Sequence, residues 1–345
     1  MQKRALTLVI PGLLGPWPNP AHTAPALNRL PALEKLLSRA QQMPVVGPTG
    51  QLNYETLLCH LFGLPTDAEL PIAALTQPVD CGQTETGFCL RADPVFLQAD
   101  MYRLVLHPAP ALSQTEADQL GAAFNSSFAE SGIRLETPQP ARWYLHCQEP
   151  PSPALRTTPI SAALGQDITP LLPSGPDARR WHALLTECQM LLHNHPLNRA
   201  RENQGHAMVN SVWLWGGGSL PATAPQTPYA ELFGNDILLR GLARWTGLAI
   251  NPLPDNGREC LELTAGNGLV VLTDLLAAVQ SQDQPHWYEL LQTVEQHWFI
   301  PLLSALRQQR LDTLNILACD GRQFAVKRAN LRYFWRKSHV LSHWL

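Results

Sequence analysis

The sequence predicts an α/β protein with a mainly parallel sheet flanked by helices and an inserted α+β domain. Three observations carry this. Residues 5–10 read as a buried apolar strand entering a Pro-Gly loop, and leucines at 27, 30, 33, 36 and 37 then line one helical face. A strand followed at once by a helix is the opening of a parallel sheet. From Val209 onward the alternation resumes as strand 209–215, helix 229–246, strand 269–273, helix 285–309 and strand 313–318. Between these stretches, short alternating strands at 86–98, 101–107 and 141–147 surround a helix at 114–128, which is an α+β pattern. The polar, proline-rich run TDAELPIAALTQP places a boundary near residue 66. Residues 1–65 and 205–345 are therefore expected to form a split core domain, and 66–204 the insert.

The best-marked helix follows Leu172. Ser174 is placed to cap it, with Pro176 in the first turn and Asp177 three residues on, and Pro196 stops it. Trp181, Leu184, Leu185, Cys188, Leu191 and Leu192 form its apolar stripe. Val209 to Trp215 is too apolar for a half-exposed strand, and Gly216 to Gly218 allow a backbone or a ligand to approach closely.

With 345 residues and 45% hydrophobic content, the chain can fill the cores of two domains. A net charge of -3 gives no global attraction to nucleic acid or anionic membranes, so such binding has to be local. Seven cysteines without any CxxC spacing indicate reduced thiols in a cytoplasm rather than a disulfide framework or a zinc knuckle. The opening MQKRALTLVIPGLLGP is too brief for a membrane span and lacks a small-residue cleavage site, so it reads as the first strand.

His195, Pro196, Asn198 and Arg201 are followed by Asn210, Trp213, Leu214, Trp215, Gly216 and Gly218. This arrangement resembles the archaeal-type, cofactor-independent phosphoglycerate mutases of the alkaline phosphatase superfamily, in which a helix ending in His-Pro-x-Asn-x-x-Arg precedes an Asn-x-x-Trp-Leu-Trp-Gly-x-Gly strand. The likeness continues through YAELFGNDILLRGLARWTGL and, more faintly, through GFCLRADPVFL, SQTEADQLGAAFNSSF and ARWYLH. Within the superfamily the chain is most similar to a bacterial group labelled "regulatory protein, RpfE type".

The resemblance implies an alkaline-phosphatase-like fold. In that superfamily, Asp and His at strand ends hold two divalent metals that activate a Ser or Thr and stabilise an in-line phosphoryl displacement. Here Pro11 and Gly12 stand where the first ligand should be, and Tyr54 and Glu55 where the nucleophile should be. Asp274 and Asp320 are weak remnants of the other ligand sets, with Gly321 in place of a histidine. Ser161 and Ala162 replace a polar pair before Gly165, and Trp143, Tyr144 and Leu145 replace a Tyr-Arg-His, with Arg142 displaced. The resemblance thus implies a lost metal pair, no cofactor and no catalytic residue.

Arg201 and Asn210 are candidate ligand contacts; His195 and Asn198 either contact a ligand or close a helix end. Gly216 and Gly218 either form an anion nest or allow close packing, and Arg91 and Asp93 either serve a ligand or pair across a strand end. After Asp320 there is no acid, while Arg328, Arg332, Arg336 and Lys337 interleave with Phe324, Tyr333, Phe334 and Trp335. Such a tail either grips an anionic partner or forms a solvated face over buried rings. The favoured expectation is a catalytically inactive phosphoglycerate-mutase-like protein that regulates by binding an unknown protein or small molecule. The alternatives are an active mutase or metal-dependent phosphohydrolase with relocated ligands, and a nucleic-acid-binding regulator working through the tail. Nucleic acid is the less favoured partner, and no membrane is expected.

Overall fold

A computed structural model describes residues 4–15, 29–47, 50–51, 53–82, 87–108, 111–332 and 337–345. The chain divides into two compact units, Met1–Leu64 with Pro225–Leu345, and Pro65–Ala224. In chain order the first unit begins with β1 (Ala5–Val9), β2 (Gln41–Pro44), β3 (Val46–Gly47) and β4 (Gly50–Gln51). The second unit holds β5 (Phe88–Ala99), β6 (Leu104–His107), β7 (Ile133–Gln139), β8 (Arg142–Cys147) and β9 (Ser211–Trp215). The chain then returns to the first unit with β10 (Glu231–Phe233), β11 (Ile250–Asn251), β12 (Asn267–Val271), β13 (Thr313–Leu317) and β14 (Arg322–Lys327).

The first unit's sheet has the order β11-β10-β12-β1-β13-β14-β2. Its first five strands are parallel, and β14 runs antiparallel to both β13 and β2. Leu6, Leu8 and Val9 of β1 are fully buried, as a central strand covered on both faces requires. Helix Pro31–Arg39 contributes Leu33, Leu36 and Leu37 to the core, against Trp287, Phe299 and Leu302. Leu30 cannot cap that helix, so the buried Glu295 accepts from the N–H groups of Ala32 and Leu33 at 2.7 and 2.9 Å. Glu295 lies in a π-type turn, Glu295–Phe299, between helices Gln284–Val294 and Ile300–Arg307. The helix expected over 285–309 is thus interrupted, with Pro301 removing a backbone donor just beyond the turn.

Two expectations in this unit need correction. Residues 229–246 are not one helix: β10 forms first, Gly234 breaks the chain at φ +151°, and Asp236 caps helix Ile237–Thr246 by accepting from the Leu239 N–H at 3.0 Å. The apolar strand near 209–215 does not join the parallel sheet, because β9 pairs antiparallel with Arg91–Val95 of β5. The second unit therefore runs on to Ala224 rather than ending at 204.

The second unit's sheet has the order β6-β5-β8-β7, with β9 also on β5. Helices Gln114–Ser127 and Ala178–Asn194 cover it, placing Phe124, Trp181, Leu185 and Cys188 against Leu90, Leu145 and Leu214. Ser113 and Glu116 form a capping box on the first helix. The second starts at Ala178, because the Ser174 backbone is paired instead with Arg156. The outer edge of β7 is covered by side chains: Asn125 bonds both backbone groups of Leu135, and Gln114 donates to the Thr137 carbonyl. No helix among the described residues is long and apolar enough to cross a membrane.

Candidate functional site

Ligands of open α/β sheets bind outside the carboxyl ends of the parallel strands. At the end of β1 the chain enters a buried turn in which Gly12 adopts φ +81°. The Gly12 carbonyl accepts from the Trp287 indole at 2.7 Å, and a Cβ on Gly12 would meet the Leu275 carbonyl oxygen at 3.0 Å. This turn presents no side-chain donor or acceptor. Beyond β13, Asp320 accepts from the Arg322 N–H at 2.9 Å and from its Nε at 2.6 Å, so its charge is already matched. Asp274, beyond β12, is exposed in the first turn of helix Asp274–Gln280.

Tyr54 and Glu55 open helix Tyr54–Leu61, which Asn53 caps, and both are buried. Burial, then the Asp236 carboxylate, raises the Tyr54 phenol well above its ordinary pKa. Cys319 holds φ +60°, and burial followed by Glu55 and Asp320 raises its thiol in the same direction. Both shifts favour the protonated form of these groups. A two-metal centre needs several anionic or imidazole donors converging; among the described residues no group of three His, Cys, Asp or Glu able to hold a metal occurs.

The second unit contains a buried polar network. Arg91 Nε and Nη2 donate to one Asp93 oxygen at 3.0 and 2.6 Å, and the Trp215 indole donates to the other at 2.8 Å. The Arg91 guanidinium lies 5.3 Å from the centres of both the Tyr144 and Trp215 rings. Next to it, Asp80 accepts from Arg142 at 2.8 and 2.7 Å and from the Tyr144 hydroxyl at 2.7 Å. Burial alone would raise Asp80, but Arg142 and Tyr144 together hold its carboxyl below the usual range. The Arg91–Asp93 pair is readable as two residues on one face of a strand. Asp80 and Arg142, 62 residues apart, leave no local signal.

The motif block forms the frame of this unit. Asn198 donates to the Leu192 and Val209 carbonyls at 2.7 Å each and accepts from the Val209 N–H at 3.0 Å. Arg201 donates to the carbonyls of Ala207 and Ala111 at 3.0 Å and to Glu116 at 2.6 Å. Asn210 bonds both backbone groups of Leu97, at 2.7 and 2.8 Å. His195 ends one helix and caps the next, Pro196–Asn203, through Nδ1 accepting from the Leu197 N–H at 3.2 Å. A Cβ on Gly216 would stand 2.7 Å from Ile72 Cβ, and one on Gly218 would stand 2.0 Å from the Glu69 carbonyl oxygen. These glycines let β9 press against residues 69–73, with Glu69 accepting from the Gly216 N–H at 3.1 Å.

A cleft of about 550 Å³ opens in this unit beside Phe88, Asn125, Arg134, His146 and Gln148, and His146 meets Glu136 at 2.9 Å. In the tail, Arg328 and Arg332 lie on the turn Arg328–Arg332 and Lys337 is exposed. Arg336, with Tyr333, Phe334 and Trp335, lies outside the described residues. Phe324 is buried edge-on to Trp344, with ring centres 5.5 Å apart.

No family model matches the chain. Over 90 residues, 25% of the chain, it is 38% identical to a probable 2,3-bisphosphoglycerate-independent phosphoglycerate mutase of Geobacter sulfurreducens. Over 180 residues, 49% of the chain, it is 24% identical to a 2,3-bisphosphoglycerate-independent phosphoglycerate mutase of Methanosarcina acetivorans. The matched stretches span only 23% and 45% of those relatives. Among solved structures, the PH0037 protein from Pyrococcus horikoshii matches with a TM-score of 0.52 at 14% identity, covering 95% of this chain and 88% of that one, which is a likeness of fold. The chain thus shares the α/β fold of that structure and, over part of its length, is similar in sequence to 2,3-bisphosphoglycerate-independent phosphoglycerate mutases.

Proposed function

We propose that this protein is a phosphoglycerate-mutase-like scaffold that does not transfer phosphoryl groups and acts by binding a protein or small molecule, in the manner that its resemblance to the RpfE-type regulatory group implies. The observation that carries this reading is the turn at the end of β1. A catalytic carboxylate belongs there, and a buried glycine sealed by the Trp287 indole stands in its place. The protonated Tyr54 and Cys319 and the pairing of Asp320 with Arg322 support the same reading. The cleft beside His146 is within the size range of small-ligand sites and supports a binding role.

The test is metal analysis of protein purified without chelators, together with an assay of 2- and 3-phosphoglycerate interconversion beside an active 2,3-bisphosphoglycerate-independent mutase. The expected result is substoichiometric zinc and manganese and no interconversion. Two bound metals per chain, or turnover above the buffer blank, overturns the reading.

A further inference from the structure

The fold of the first unit assembles a basic face that the tail sequence reveals only in part. The C-terminal segment lies along helix Pro31–Arg39, where the His339 N–H donates to Ser38 Oγ at 2.9 Å and the Leu341 N–H to Glu34 Oε1 at 3.4 Å. Lys337 precedes this contact by two residues, and Lys35 lies on the same helix. Arg307 ends helix Ile300–Arg307, against which the turn bearing Arg328 and Arg332 packs. Burial lowers the Lys35 pKa, and repulsion from Arg307 and Arg39 lowers it further, as expected where positive charge is not neutralised.

Lys35, Arg307, Arg328, Arg332 and Lys337 make no ion pair among the described residues. The elements that bear them carry a single acid, Glu34, which is buried and held by Arg29 at 2.7 Å. A net charge of -3 spread over the whole chain does not cancel such a cluster locally, since screening confines each field to about 8 Å at physiological salt.

We propose that this face binds the phosphodiester backbone of a nucleic acid. Lysines and arginines without ion pairs on four elements suit a lattice of phosphates. A protein partner would instead require an apolar centre, and here, among the described residues, the exposed large apolar side chains are Ile300 and Val340, 40% and 44% accessible. The exposed His339 and His343 rings stack at 4.1 Å beside the cations and offer a flat surface to a base. The proposal holds whether or not the sheet edge performs chemistry, so it does not rest on the reading above.

The test is fluorescence anisotropy of labelled single-stranded and duplex oligonucleotides of about 20 nucleotides, titrated with the full chain over a salt series. Five phosphate contacts give a slope of log affinity against log salt of about -4. Lys35→Gln, Arg307→Gln, Arg332→Gln and Lys337→Gln should each flatten that slope by about 0.7 to 0.9, whereas Arg258→Gln should leave it unchanged. Should any of the other variants lose its fold, Lys337→Gln alone, in an exposed segment, still decides the matter. Preference in the two nucleic-acid arms identifies the form bound, and either supports the proposal. Absence of binding at low salt overturns it. So does equal competition by polyglutamate or by phosphatidylserine vesicles, which would make the face a protein or membrane surface.

Discussion

The two regions where polar side chains gather are organised in opposite ways. At the carboxyl edge of the first unit's sheet, Asp274 is exposed, Asp320 is occupied by Arg322, and Tyr54 and Cys319 keep their protons. Inside the second unit, Arg91, Asp93 and Trp215 form one hydrogen-bonded group and Asp80, Arg142 and Tyr144 another, the Arg91 guanidinium lying 5.3 Å from the Tyr144 ring centre, and Asn198, Arg201 and Asn210 fasten the surrounding backbone. The most recognisable residues of the chain are therefore those that hold a sheet and its helices together. A motif of this kind serves an architectural role here, whatever chemistry the sheet edge performs.

The most severe way to break this contrast is to remove Asp93. Asp93→Ala leaves the Arg91 guanidinium buried and unpaired, and should cost about 3 to 5 kcal/mol in urea unfolding monitored within the second unit. A loss below about 1 kcal/mol would mean that water enters and the network is not what fixes this unit.

The motif block should separate internally. Asn198→Ala leaves the buried Val209 N–H and C=O without their side-chain partner and is expected to cost about 2 to 3 kcal/mol, whereas His195→Ala removes one helix cap and should cost about 1 kcal/mol or less. The reverse order, accompanied by loss of any ligand binding, would return His195 to a functional role.

Gly12→Asp sharpens the comparison from the other side. It restores a carboxylate at the end of β1, but against a left-handed backbone and the Leu275 carbonyl. The expected outcome is a stability loss of about 1 to 3 kcal/mol with no metal uptake by elemental analysis.

The smallest effect is the pH response of Asp80. Its folded pKa is lowered, so its contribution is fully present above the unfolded carboxyl value near 4 and fades as pH falls through the folded value. With Arg142 partly open to solvent the contribution should be at most about 1 kcal/mol, and Asp80→Asn should flatten the acid limb of a stability–pH curve.

The alternation of strand and helix, the Trp181–Leu192 stripe and the buried strand at Ser211–Trp215 are all legible in the sequence, because each depends on local period and composition. Which sheet that strand joins is not, since an apolar run is compatible with any buried neighbour, and here β5 provides one. β10 and β11 have three and two residues, too few to show a period. At the site, Arg91 and Asp93 are legible as a pair, but the burial of Tyr54 and the meeting of Lys35 with Arg307 arise only when distant segments pack.

Helix Pro31–Arg39 borrows its N-terminal cap from a carboxylate 263 residues later in the chain, and β1 finds both of its neighbours, β12 and β13, in the same late part. During synthesis the opening segment must therefore wait, its strand unpaired and its helix uncapped, while residues 65–224 can close on themselves. Ribosome-stalled chains ending near residue 230 are expected to resist protease across the second unit and to be cut before Leu64. Protection of β1 should appear only once Leu317 has emerged. Such a waiting segment is where a chaperone, or aggregation, competes most directly with the fold.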